Sequence, residues 1–201
     1  MSLFRKIFGL KNTPEDNIKS EERGKYMPEI KLPIDEKFTI NFKANGGKFL
    51  YCENMEEIYK SLKNILQENN WEDKKVFLLD SRLKELFKDF ELKDSKQPSE
   101  CEYFLSTCEY LIADDGSLLI SSNQIAEKKL RDLPPNFVIY ATTSQFVENI
   151  GEGLRGIKNN NKDRIPTNIT TIKHFKTLED KDFLTYGSSS KNLYLLLLED
   201  L

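Results

Sequence analysis

The sequence predicts an α/β domain with a largely parallel sheet flanked by helices. Two observations predict it. Four apolar runs, "KVFLL", "EYLIA", "NFVIYA" and "LYLLLL", lack strict alternation of apolar and polar residues, so they read as adjacent strands buried on both faces. Stretches of helical periodicity separate several of them, and alternating strands and helices build parallel sheets.

The elements follow in order. "MSLFRKIFGLKN" places Phe4, Ile7, Phe8 and Leu10 at roughly helical spacing. It predicts a short helix that packs on its own domain or a partner, with a weakly membrane-bound surface helix as the alternative. Residues 11–37 carry Pro14, Gly24, Pro28, Pro33 and many charges, which predicts a mobile arm and a folded domain over 38–201. In "FTINFKANGGKFLYC", Phe38, Ile40 and Phe42 alternate with polar residues as in a half-buried strand. Asn45-Gly46-Gly47 gives a sharp turn, and Phe49-Leu50-Tyr51 starts the next strand.

"NMEEIYKSLKNILQENN" is the clearest helix, with Met55, Ile58, Tyr59, Leu62, Ile65 and Leu66 on one face and Asn54 as N-cap. After the run ending in Asp80-Ser81, "RLKELFKDF" predicts a second helix and "KDSKQPSE" a loop. Tyr110–Ala113 and Leu118–Ile120 read as two strands joined at residues 114–117. "NQIAEKKLRDL" can form a helix that Pro134-Pro135 ends. In "TTSQFVENIGEGLRGI", Thr142, Thr143 or Ser144 can cap a helix whose face carries Phe146, Val147, Ile150 and Leu154. "KNNNKDRIPTN" is a solvated loop, and "LYLLLLED" is a central strand.

Composition narrows the function. The 201 residues suit one domain, or one domain plus a tail, and 13 Phe and 8 Tyr supply bulk for a core. A net charge of -3 gives no basic field to hold nucleic acid. No run of about 18 apolar residues predicts a membrane span. Cys52, Cys101 and Cys108 are odd in number and lack CxxC spacing, which fits reduced structural thiols in the cytoplasm and argues against an iron–sulfur cluster on this chain. His174 is the one histidine, so a zinc site or a Ser–His–Asp triad would rest on it alone. No metal or cofactor is expected.

Ligands of open α/β sheets bind beyond the carboxyl ends of the strands. There the sequence places Asp80 and Ser81, then Asp114, Asp115, Gly116 and Ser117, then Thr142, Thr143, Ser144 and Gln145; Gly187-Ser188-Ser189-Ser190-Lys191 precedes the last strand. Hydroxyls, helix-start N–H groups and carboxylates suit a small organic acid or a sugar phosphate. The same residue types also serve caps and turns, and Asp-Gly between apolar runs is a strong hairpin signal. Spacing alone leaves both readings open.

The stretch "CEYLIADDGSLLISSNQIAEKKLRDLPPNFVIYATTSQFVENIGEGL" resembles the LUD domain of the lactate-utilisation protein C family. Ala113, Asp114, Gly116, Ser117, Leu133, Pro134, Pro135 and Gln145 follow the order of that family's motifs, and "KNLYLLLLED" looks like its final strand. The resemblance covers roughly residues 38–201 and is clearest at 108–154. It implies a fold like that of ribose-5-phosphate isomerase and the CoA transferases. It also implies a role in lactate oxidation beside iron–sulfur oxidoreductase subunits that hold the clusters. On this reading Asp114, Asp115, Gly116 and Ser117 form a ligand rim as well as a turn, and Thr142, Thr143 and Ser144 supply donors. The chain departs from the family before its last strand. "TIKHFKTLEDKDFLTYGSSSKNL" lacks the usual Gly-Pro-Ser-Arg-Thr segment and its arginine; Asp182 replaces a late acidic position, and Arg155 and Arg164 are the candidate substitutes for the arginine. A non-catalytic member that binds partner proteins is the alternative.

Overall fold

A computed structural model describes residues 32–175 and 191–200. The expected N-terminal helix, most of the arm, Asp182 and Gly187–Ser190 lie outside the described residues.

The first element, α1 (Ile34–Ala44), is a helix where the alternation predicted a strand. Phe38, Ile40 and Phe42 fit period 2, but positions four apart also share one face of a helix. Phe38 and Phe42 are fully buried while Ile40 between them is 55% exposed, which is the helical outcome. Pro33 precedes the first turn, and Asp35 and Glu36 favour its positive end. Gly46, at φ 89°, then turns the chain into β1 (Lys48–Cys52).

Helix α2 (Met55–Glu68) is capped as predicted, the Asn54 side chain accepting from the Glu57 N–H at 3.0 Å. It buries Ile58, Leu62, Ile65 and Leu66. Strand β2 (Lys75–Phe77) leads through Asp80, an N-cap, into α3 (Ser81–Leu86). The expected loop at 93–100 contains a short edge strand, β3 (Lys93–Ser95). Strand β4 (Tyr103–Thr107) carries no clear sequence signal of its own, because the run that follows it is more apolar.

Next come β5 (Tyr110–Ile112) and β6 (Ser117–Ile120), paired antiparallel. The predicted helix at 123–133 is only α4 (Ser122–Ile125), since Ala126 takes φ 51° and ends it. Strand β7 (Asn136–Thr142) follows. The helix expected from 142 starts later: Phe146–Val147 form β8, and α5 (Ile150–Asn160) begins behind Asn149, whose side chain accepts from the Glu152 N–H. Its buried side is Gly153 and Ile157, so Ile150 and Leu154 are exposed rather than inward. Strands β9 (Thr170–Ile172) and β10 (Asn192–Leu198) complete the described chain.

The main sheet has six parallel strands in the order β1-β10-β7-β4-β2-β3. The predicted central strand β10 lies between β1 and β7. "EYLIA" is not its neighbour. That run is β5, in a second sheet ordered β8-β5-β6-β9, and β4 takes the place beside β7. Alternate residues divide the main sheet's faces. Val76, Tyr103, Leu105, Val138, Tyr194 and Leu196 join the core with α2, where Trp71 stacks on Tyr103 at 5.1 Å. Phe77, Phe104 and Phe137 meet one another on the opposite face. Lys191, buried, donates to the Leu133 and Pro134 carbonyls at 3.0 and 3.1 Å, at the amino ends of β7 and β10. Burial pushes its pKa down, with Asp132 opposing. No helix among the described residues is long and apolar enough to cross a membrane.

Candidate functional site

At the carboxyl ends of β2, β4 and β7 lies a cavity of about 780 Å³. Asp80, Arg82, Glu109, Asn123, Tyr140 and Gln145 are among its walls. Asp80 is fixed by its cap, accepting the Arg82 N–H at 2.8 Å. The same carboxylate accepts from Arg82 Nε at 3.1 and 3.2 Å and from Nη2 at 2.7 Å. Arg82 hydrogen bonding holds the Asp80 carboxyl below the usual carboxylate range. The arginine side chain is 84% exposed against 14% for Asp80. Its Nη1 makes no hydrogen bond among the described residues.

Glu109 enters where β4 hands over to β5. Its Oε1 accepts from Ser121 Oγ at 2.6 Å and Asn123 Nδ2 at 2.9 Å. Ser121 and Gln124 form a capping box at the start of α4, so the second sheet and this short helix set the carboxylate together. Glu109 Oε2 has no partner among the described residues. Gln145 donates to the Cys108 and Glu109 carbonyls at 2.6 and 3.2 Å, tying β7's exit to the same corner. Burial raises the Cys108 thiol strongly, so it stays protonated near neutrality. The arrangement offers one guanidinium edge and one carboxylate oxygen to a guest, with polar amides beside them.

The residues predicted for the rim are placed differently. Asp114, Asp115, Gly116 and Ser117 close the β5–β6 hairpin and lie under α1. Lys37 donates to Asp114 and to Glu148, each at 2.6 Å. Asn41 donates to the Ala113 and Asp114 carbonyls, and Asn45 to that of Asp115. Asp115 accepts from Ser117 N–H and Oγ. Gly116 has φ +67°, and a β-carbon there would overlap the backbone of Asn41 and Phe42.

Thr142, Thr143 and Ser144 gather around a different acid. Asp200 accepts from Thr143 Oγ1 at 2.8 Å, Ser144 N–H at 2.9 Å and Ser144 Oγ at 2.7 Å. Burial pushes the Asp200 carboxyl up, but these hydrogen bonds prevail and bring it to about 2. The two sets are not joined in one rim. Strand β5 pairs parallel with β8, Leu111 beside Phe146 and Ile112 beside Val147. Thr142–Ser144 precede that pairing and Asp114–Ser117 follow it, so they stand at its opposite ends. None of these seven residues lines the cavity, whereas Asp80, Ser81 and Gln145, also predicted at strand ends, do.

Sequence reasoning missed Arg82, Glu109 and Asn123. Arg82 directly follows the Asp80-Ser81 pair. Glu109 falls just past β4, and reading "EYFLST" as the sheet strand would have placed it at a carboxyl end. His174 is exposed and serves through its carbonyl, which accepts the Lys191 N–H. No group of three or more His, Cys, Asp or Glu among the described residues is arranged to hold a metal.

The chain is similar to a solved DUF162 family protein from Deinococcus radiodurans, with TM-score 0.55 and 13% identity over 83% of this chain and 96% of that one. That likeness shows the fold. No curated protein matches the sequence. The family model for the LUD domain matches residues 84–198, from within α3 to the end of β10 and more than half of the chain, so this chain belongs to the LUD domain family.

Proposed function

We propose that the cavity beyond β2, β4 and β7 binds a hydroxylated organic acid, and that the chain serves the use of such acids, lactate among them, beside iron–sulfur oxidoreductase subunits. The observation that carries the reading is the presence of Arg82 and Glu109 in one cavity, each with a polar atom that has no partner among the described residues. A carboxylate is received by the free edge of a guanidinium. A neighbouring hydroxyl needs an acceptor, and Glu109 Oε2 supplies one. The cavity has room for acids larger than lactate, up to the size of a sugar acid. Asp114–Ser117 and Thr142–Ser144, expected at the rim, are in this reading supports at either end of β5–β8.

Thermal unfolding with L-lactate, glycolate and gluconate tests it. A bound acid at 100 times its dissociation constant adds about 2.7 kcal/mol to stability. Arg82→Gln should weaken binding at least about tenfold, a loss of about 1.4 kcal/mol, and leave the unliganded melting temperature nearly unchanged. Absence of a shift with all three acids, or undiminished binding by Arg82→Gln, would refute the reading.

A further inference from the structure

Beyond Asn123 the surface forms a second hollow of about 340 Å³, walled in part by Ser122, Ala126, Arg164 and Thr167. Asn123 lines both hollows. The segment leaving α5 runs between them, with Asn161 on the first and Arg164 on the second. We propose that the two hollows form one extended site whose ligand carries an anionic group at each end, one held by Arg82 and the other by Arg164. This rests on the reading of the first cavity as an organic-acid site.

Two kinds of observation converge on the second hollow. The first is charge. Arg164 is exposed and makes no ion pair among the described residues. The acid nearby, Glu127, accepts from the Thr167 hydroxyl at 2.9 Å. The second is built-in rigidity. Ser122 N–H donates to the Thr167 carbonyl at 2.8 Å, and Thr167 N–H returns to Ser122 Oγ at 3.0 Å. Asn168 Nδ2 donates to the Ala126 and Lys128 carbonyls, both at 2.9 Å. Ala126 at φ 51° and Asn168 at φ 50° are left-handed without being glycine. Such residues persist only where their surroundings hold them, and they gather at binding sites. A wall fixed this way loses little conformational freedom when a guest arrives. The ligand class that fits is an extended hydroxy acid with a phosphate or second carboxylate at its far end.

Calorimetric titration of the full chain with gluconate and 6-phosphogluconate tests the proposal, because the two differ only in the terminal phosphate. The phosphorylated acid should bind at least about tenfold tighter. Arg164→Gln should bring the two acids to within about twofold of each other and leave gluconate affinity unchanged, while Arg164→Lys keeps part of the advantage and Arg82→Gln weakens both. Equal affinity of the two acids for the unaltered chain overturns the two-anion site, as does an Arg164→Gln loss shared equally by both. Gluconate binding that depends on Arg82 and gains nothing from the phosphate removes this proposal and keeps the organic-acid reading. Failure of both acids to bind overturns this proposal, and the organic-acid reading falls with it where L-lactate and glycolate also fail.

Discussion

The β5–β6 turn and the cavity rim are made of the same residue types and spend them differently. In the turn, Asp114 and Asp115 both have internal partners, and the carbonyls of residues 113–115 are taken by Asn41 and Asn45. At the rim, Asp80, Arg82 and Glu109 are held in place, yet a guanidinium edge and a carboxylate oxygen have no partner among the described residues. The difference is the arrival of α1 and its C-cap: Lys37, Asn41 and the capping Asn45 lie 77, 72 and 70 residues before the groups they engage. Among the described residues, no element covers the rim in that way. Polar residues at a strand end become a site only where the rest of the chain leaves them unsatisfied, and that is a tertiary property.

The contrast can be broken most forcefully at Gly116. An alanine there combines a left-handed φ with overlap against α1, so Gly116→Ala should lower stability by about 3 kcal/mol, read from the shift in urea midpoint. A loss below about 1 kcal/mol would mean that α1 does not seat on the turn. Asn41→Ala strips partners from two carbonyls and should cost about 1.5 kcal/mol in the same assay. A silent Asn41→Ala would make the turn as open as the rim.

Asp200 sharpens the picture through pH. Its carboxyl is brought to about 2, below the usual value near 3.9, so the folded state binds the proton less well than the unfolded one. The stabilisation is therefore full above about pH 4 and fades as pH falls toward 2. The group is exposed and screened, so Asp200→Asn should cost only about 0.5 kcal/mol at neutral pH. The acid limb of the stability curve should be shallower in that variant; an identical limb removes the Thr143–Ser144 clasp as its cause. The smallest stability change belongs to Glu109→Gln, within about 0.5 kcal/mol, because the amide oxygen still accepts from Ser121 and Asn123. Its effect should show in hydroxy-acid affinity instead, and a large loss of stability would place Glu109 with the turn residues rather than at a site.

The sequence made the fold class legible through "NFVIYA" and "LYLLLL", whose unbroken apolarity requires cover on both faces. Asn54 marked α2 for a local reason, a cap followed by an amphipathic face. The failures also have local causes. Phe38 and Phe42 satisfy two periods at once, and only the exposure of Ile40 separates them. Phe146 and Val147 read as helical in the sequence because the capping turn at Thr142–Gln145 is real; it starts a single 3₁₀ turn, and the α-helix begins only behind Asn149. Of the site, Asp80, Ser81 and Gln145 followed from the strand-end rule. Glu109 did not, because β4 was overshadowed by β5, and the closure of the Asp114–Ser117 turn depended on a helix read as a strand.

The strand order carries a consequence for how this chain comes to be folded. The seat between β1 and β7 is filled by β10, residues 192–198, which leave the ribosome long after both neighbours. Until then β1 is not joined to β7, since among the described residues its partner in the main sheet is β10 alone. During synthesis two rows of unpaired main-chain groups are exposed together, the kind of edge that pairs with other chains. Closure across nearly 150 positions is slow, because loop entropy is lost before the contacts form. The nascent chain is therefore most prone to aggregate late in translation, after β7 and before β10.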